Sequence, residues 1–318
     1  MTEHFTRPDV AMFLGFLNAL PGPKTHELPP AMARAMYVAS KDAADLPVGE
    51  LAVVRDLSAP GPAGAIPLRL FDSRADRPAG PALVFYHGGG FVIGDLDTHA
   101  GICAEMARQL DLPVIAVDYR LAPEHPFPAA PDDCEAATRW IASSPAELGL
   151  SVTGLVLAGD SAGGNLTVVT AMALRDSAAA IPAIAQFPIY PSVDRAEGYA
   201  SYEMFGEGRL LTKDGMTWFD QCYAPTPDDW RGAPLHASHR DMPPTLVITA
   251  GLDPLRDQGR AYAAALIAEG VPTVYREATG NIHGFVTLRK AMPSAQVEVD
   301  GALSVLKGII AEAVASQR

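Results

Sequence analysis

Short apolar runs alternate with longer segments of helical period along most of this chain. Ala82 to Tyr86, Pro113 to Val117, Gly154 to Ala158, Ile184 to Ile189, Thr245 to Ala250 and Thr273 to Tyr275 are mostly apolar or β-branched over their length. That is the pattern of strands buried on both faces. Helical patterns fall between and after them, near Thr98 to Gln109, Pro131 to Ser143, Ala162 to Arg175, Gln258 to Ala268 and Ala295 to Ala315. Such alternation predicts an α/β fold, a mostly parallel central sheet flanked by helices. Leu51 to Leu57 and Pro67 to Phe71 read as two further strands ahead of the series.

Two stretches depart from the alternation. Residues 1–45 carry two apolar-faced helical patterns, Val10 to Leu20 and Pro30 to Ala44, separated by the turn run Pro21-Gly22-Pro23. Residues 191–243 carry scattered aromatics, including Tyr199, Tyr202, Phe205, Trp218, Phe219, Tyr223 and Trp230. A structureless loop of that length is improbable in a compact domain, so a helical insertion is expected. The core is then built from 46–190 and 244–318.

Bulk properties narrow the function. Apolar residues make up 48% and charged residues 19%, an ordinary globular balance. Lys and Arg number 24 against 37 Asp and Glu, a formal charge of −13. Such a surface repels phosphate backbones and anionic lipid headgroups, so neither nucleic acid nor a stable membrane association is expected. The three cysteines, Cys103, Cys134 and Cys222, form no CxxC pair and read as small buried hydrophobes. The apolar stretch Ala11 to Leu20 follows Glu3 and Asp9 rather than basic residues and is too short to span a bilayer, which favours a cytoplasmic protein.

Three segments carry chemistry. Gly159-Asp160-Ser161-Ala162-Gly163 is a G-x-S-x-G match standing between the strand Leu155 to Ala158 and an Ala-rich helix. The five letters alone are a weak signal, with a glycine-rich turn carrying an idle serine as the plain alternative. The strand-to-helix context is what a nucleophile elbow requires, with small residues two positions either side of the serine. His87-Gly88-Gly89-Gly90-Phe91 directly follows another strand. Its bare amides, with that of Ala162, would form an oxyanion hole. It lacks the patterns G-x-x-x-x-G-K-[ST] and G-x-G-x-x-G, which argues against a phosphate or dinucleotide loop. His87 itself is expected to orient that loop.

Of the eight histidines, His283 in Gly280-Asn281-Ile282-His283-Gly284-Phe285 is best placed as a base, in a loop after the last strand. The pair His236 and His239 lacks a third ligand nearby in sequence, so no metal is expected there. Asp253, just after the strand Leu246 to Ala250, would orient the base and gives the chain order Ser, Asp, His. Asp257 is the rival, although its place at a helix start also suits capping.

At these residues the chain resembles the hormone-sensitive-lipase-like esterases, bacterial family IV, in the branch whose elbow reads G-D-S-A-G. His87 to Phe91 matches the H-G-G-G-F/W motif, and Tyr119-Arg120-Leu121-Ala122-Pro123-Glu124 with Pro126-Phe127-Pro128-Ala129 matches a further loop. Asp253 to Asp257 resembles the acid segment and His283-Gly284-Phe285 the histidine segment, so the likeness covers nearly the whole chain. Asn281 departs from the varied, often apolar residues found at its position.

The resemblance implies an α/β-hydrolase fold with a helical cap built from residues 1–45 and 191–243, and a serine carboxylesterase for short- to medium-chain acyl esters. Ser161, Asp253 and His283 would be catalytic, and Gly88, Gly89 and Ala162 would supply the oxyanion amides. It further implies a small-molecule ester as partner and a homodimer. Independently of the family, Phe13, Leu17, Phe205, Leu211, Trp218 and Phe285 suit an apolar acyl pocket. The chemistry needs no metal or organic cofactor. A neutral base makes the rate rise with pH through the range in which histidines deprotonate. The same triad would also serve a deacetylase, a lactonase or an acyltransferase. A small-molecule receptor on this fold and a dinucleotide-dependent oxidoreductase are more distant readings, opposed by His283 and by the missing phosphate fingerprint respectively.

Overall fold

A computed structural model describes residues 4–196 and 198–317. In chain order the elements are α1 (Pro8–Ala19), α2 (Pro30–Ala44), β1 (Val53–Gly61), β2 (Gly64–Asp72), β3 (Gly80–Tyr86), α3 (Ala100–Leu110) and β4 (Val114–Val117). Then follow α4 (Ala129–Ala142), β5 (Val152–Asp160), α5 (Ala162–Asp176), β6 (Ala183–Ile189), α6 (Ala200–Phe205) and α7 (Lys213–Tyr223). The chain closes with β7 (Thr245–Ala250), α8 (Arg256–Ala268), β8 (Thr273–Ala278) and α9 (Ser294–Ser316).

The strands form an eight-stranded sheet in the order β1-β2-β4-β3-β5-β6-β7-β8. Pairing is parallel from β4 through β8 and antiparallel for β1 with β2 and for β2 with β4. The predicted mostly parallel sheet is thus present, with a hairpin at one edge. Pro60 fits within β1 because an edge strand leaves one side free of ladder bonds.

The period-2 geometry of a strand explains why the central runs are apolar without interruption. In β3, Leu83 and Phe85 pack on one face with α3 and α9, while Ala82, Val84 and Tyr86 pack on the other with α4, α5 and α8. β5 divides in the same way, with Val156 and Ala158 opposite Leu155 and Leu157. Every side chain of these runs is removed from water. Each buried Leu, Val or Phe contributes roughly 1.5–3 kcal/mol before conformational entropy is subtracted.

The N-terminal piece is tied to the core by arginines. Arg34 of α2 donates to the carbonyls of Val92 and Ala122 and pairs with Glu124, while Arg289 makes two bonds of 2.7 and 2.8 Å to Asp45 at the end of α2. Both members of the second pair are buried. The insertion is helical as expected, built from α6, α7 and two 3-10 turns, Trp230–Gly232 and Pro234–His236. Thr212 caps α7 by accepting the Gly215 N–H. Among the described residues, no helix is long and apolar enough to cross a membrane.

Candidate active site

The carboxyl ends of the parallel strands open onto one edge of the sheet, where α/β folds place their ligands. Ser161 follows β5 there and opens α5, with φ 57° and ψ −116°. This is a strained conformation for a residue with a side chain, and it is the signature of a nucleophile elbow. The surroundings enforce it. A Cβ at Gly163 would overlap the Tyr86 carbonyl, so β3 and α5 approach each other only with glycine there. Ser161 N–H donates to Ile189 O at 2.9 Å, which ties the elbow to β6.

Three chemically distinct side chains meet at this point. His283 Nε2 lies 2.8 Å from Ser161 Oγ, and His283 Nδ1 lies 2.7 Å from Asp253 Oδ2. Asp253 follows β7, has no exposed surface, and accepts the Leu255 N–H at its other oxygen at 2.8 Å. His283 follows β8 and is 7% exposed, with the Tyr190 ring 4.6 Å away. An ionised Asp253 fixes the proton on Nδ1, which leaves Nε2 free to accept from the serine hydroxyl. The rival Asp257 is turned elsewhere: it accepts the Ser201 N–H and pairs with Arg256 and Arg260.

The glycine loop lies beside Ser161, but in a different register from the expectation. The Gly88 N–H donates to Asp160 Oδ1 at 2.8 Å beneath the loop, and Gly88 does not line the cavity. Gly89, Gly90, Ser161 and Ala162 do line it. The Gly88 N–H is therefore engaged beneath the loop, and Gly89 and Gly90 are the glycines of the loop at the cavity wall. His87 holds the loop from below, with Nδ1 2.8 Å from Gly88 O and its carbonyl accepting the Tyr119 hydroxyl at 2.7 Å. Burial, reinforced by the neighbouring His99, lowers the His87 pKa to about 4. From above, α7 covers the loop. Phe219 lies against Gly90, and Tyr223 stacks on Phe91 with ring centroids 3.7 Å apart.

A cavity of about 1090 Å³ opens over Ser161 between the core, the N-terminal helices and the 192–220 segment. Of the apolar residues proposed for an acyl pocket, Phe13, Leu17 and Leu211 line it. Phe205, Trp218 and Phe285 do not. Phe205 and Phe285 are wholly buried in the core, and Trp218 packs beside Phe219 on the adjoining hydrophobic cluster. The pattern missed Met12, Phe16, Leu28 and Met36, which also form the wall. α1 is apolar on nearly every face, so periodicity alone does not say which side chains face the cavity.

His236 and His239 part company. His236 Nε2 lies 3.0 Å from Asp194, and His239 Nε2 lies 3.2 Å from Leu235 O. Among the described residues, no group of three or more His, Cys, Asp or Glu side chains could hold a metal ion.

Residues 83–287 match the alpha/beta hydrolase fold family, and the chain belongs to it. The carboxylic ester hydrolase LipN of Mycobacterium tuberculosis is 43% identical over 74% of this chain and 65% of its own length. This chain therefore spans just under two thirds of LipN. The esterase LipI of the same organism is 38% identical over 82% of this chain and 83% of LipI. Among solved structures, an ester-hydrolase from the metagenome of Lake Arreo, complexed with a bipyridine phosphonate derivative, has 38% identity and a TM-score of 0.87. That match covers 95% of this chain and 98% of the other.

Proposed function

We propose that the chain is a serine carboxylesterase acting on short- to medium-chain acyl esters, with Ser161 as nucleophile, His283 as general base and Asp253 as the orienting acid. The observation that carries this reading is the unbroken hydrogen-bonded series Asp253, His283, Ser161, with links of 2.7 and 2.8 Å, at the floor of a largely apolar cavity. The naming of LipN, LipI and the Lake Arreo protein as ester hydrolases or esterases supports it.

In the first step Ser161 Oγ attacks the ester carbonyl as His283 Nε2 takes the hydroxyl proton. Negative charge moves to the carbonyl oxygen, facing the amides of Gly89, Gly90 and Ala162, and the last of these opens helix α5. His283 then passes the proton to the leaving alcohol, and an acyl-serine remains. Water attacks this ester with His283 again as base, releasing the acid and restoring the serine. Residues 4–45 and 191–243 together act as a cap. Phe13, Phe16, Leu17, Leu28 and Leu211 form its apolar lining for the acyl chain.

The test is a series of p-nitrophenyl esters from acetate to palmitate. We expect kcat/KM to rise from acetate into the butyrate to octanoate range, each methylene buried against the apolar wall being worth up to roughly 0.8 kcal/mol, and to gain nothing further at palmitate, whose outer methylenes stay in water. A folded protein that hydrolyses none of these esters would contradict the proposal.

A further inference from the structure

An ionisable side chain that the acyl-transfer steps do not use stands next to the nucleophile. Asp160 is 4% exposed, and burying a carboxylate is unfavourable unless partners replace its water. Its partners come from three separate segments of the site. Oδ1 accepts the Gly88 N–H at 2.8 Å and lies 3.1 Å from His99 Nε2, while Oδ2 accepts the Tyr190 hydroxyl at 3.3 Å. His99, which precedes α3, is 1% exposed and is held from its other side by Thr98 Oγ1 at 3.0 Å. Burial works against the charged form of Asp160, yet the His99 imidazole and the Gly88 N–H keep its pKa below the ordinary carboxylate value.

We propose that Asp160 is a positioning residue, whose carboxylate fastens the first glycine of the oxyanion loop to the nucleophile elbow and thereby sets where the Gly89 and Gly90 amides stand relative to Ser161. The proposal rests on the esterase reading above and deepens it. The geometry explains the shifted register: the Gly88 N–H is drawn under the loop, and the next two amides are the ones left at the cavity wall. It also explains the glycine, because a Cβ at position 88 would overlap the Asp160 carboxylate. Asp160 and Ser161 are adjacent in the chain, so loop and nucleophile share a single anchor. His99 and Tyr190 hold that anchor from the two flanking loops. Transition-state stabilisation depends on donors already in place, and losing one such donor typically lowers kcat by about 10²- to 10³-fold.

The test compares Asp160→Asn and Asp160→Ala with the wild type, with active sites counted by titration against an alkyl p-nitrophenyl phosphonate. Turnover of p-nitrophenyl butyrate is then expressed per titrated site. Asn keeps the shape and one acceptor but loses the charge, so kcat should fall about tenfold; Ala loses both, so kcat should fall about 10²-fold. KM should stay within about threefold for each. Inhibition by a trifluoromethyl ketone, which mimics the tetrahedral species, should weaken in step with kcat/KM. A merely structural role would reduce the number of titratable sites while leaving kcat per site and inhibitor affinity unchanged, and that result would overturn the proposal. If Ala fails to fold, the Asn variant decides alone: kcat per site equal to wild type refutes the anchor. A wild type that neither hydrolyses the ester nor takes the phosphonate would instead count against the esterase reading.

Discussion

Ser161→Ala is expected to lower kcat for p-nitrophenyl butyrate by about 10⁴- to 10⁶-fold while leaving the melting temperature nearly unchanged. The rate loss is large because the hydroxyl forms the covalent intermediate, and among the described residues no other hydroxyl is hydrogen-bonded to His283. The residual rate would come from the oxyanion amides and from substrate positioning. Stability is spared because the backbone bonds of the elbow remain, Ser161 N–H to Ile189 O and Asn165 N–H to Ser161 O. Alanine suffers the same strain at φ 57° as serine does. Parallel purification, kinetics and thermal melts check both halves. A variant retaining more than about a tenth of wild-type kcat would remove Ser161 from the mechanism.

Asp253→Asn should lower kcat by about 10⁴-fold, equivalent to roughly 5.5 kcal/mol of transition-state stabilisation. The carboxylate at 2.7 Å from His283 Nδ1 requires the proton on that nitrogen. An amide in its place can donate instead, which favours the tautomer carrying the proton on Nε2. That tautomer cannot accept from Ser161. The amide keeps the carboxylate's shape in a fully buried site, and its oxygen can still accept the Leu255 N–H, so folding should survive. Asp257→Asn is the control, because its carboxylate serves Ser201 and two arginines; kcat should change by less than about threefold. The double variant Ser161→Ala with Asp253→Asn should be no worse than Ser161→Ala alone, since the two residues act as one unit. An Asp253→Asn enzyme with wild-type kcat would contradict the assignment.

Much of this architecture was legible in residue patterns. Continuous apolar runs mark β3 through β7 because both sheet faces are covered, and the order Ser, Asp, His follows from motifs at strand ends. What escaped the sequence depends on local geometry. Gly88, Gly89 and Gly90 are identical in type, and which amide faces the cavity is settled by the Asp160 carboxylate, the unspecified second letter of G-x-S-x-G. Phe205 ends α6, only six residues long, too short for its period to reveal that the ring points into the core. Phe285 looked like a pocket residue from its nearness to His283, yet the 3-10 turn Phe285–Thr287 carries it into the core under the Tyr190 ring. Conversely, Phe16 and Met12 are 66% and 73% exposed yet form part of the cavity wall, on a helix whose apolar residues mark no single face.

The most direct test of the account is to react the protein with an alkyl p-nitrophenyl phosphonate and locate the adduct by peptide mass spectrometry. One phosphonyl group per chain is expected, on the peptide containing Ser161, with esterase activity lost in proportion to labelling. Stoichiometric inactivation with the label on any other residue would contradict it.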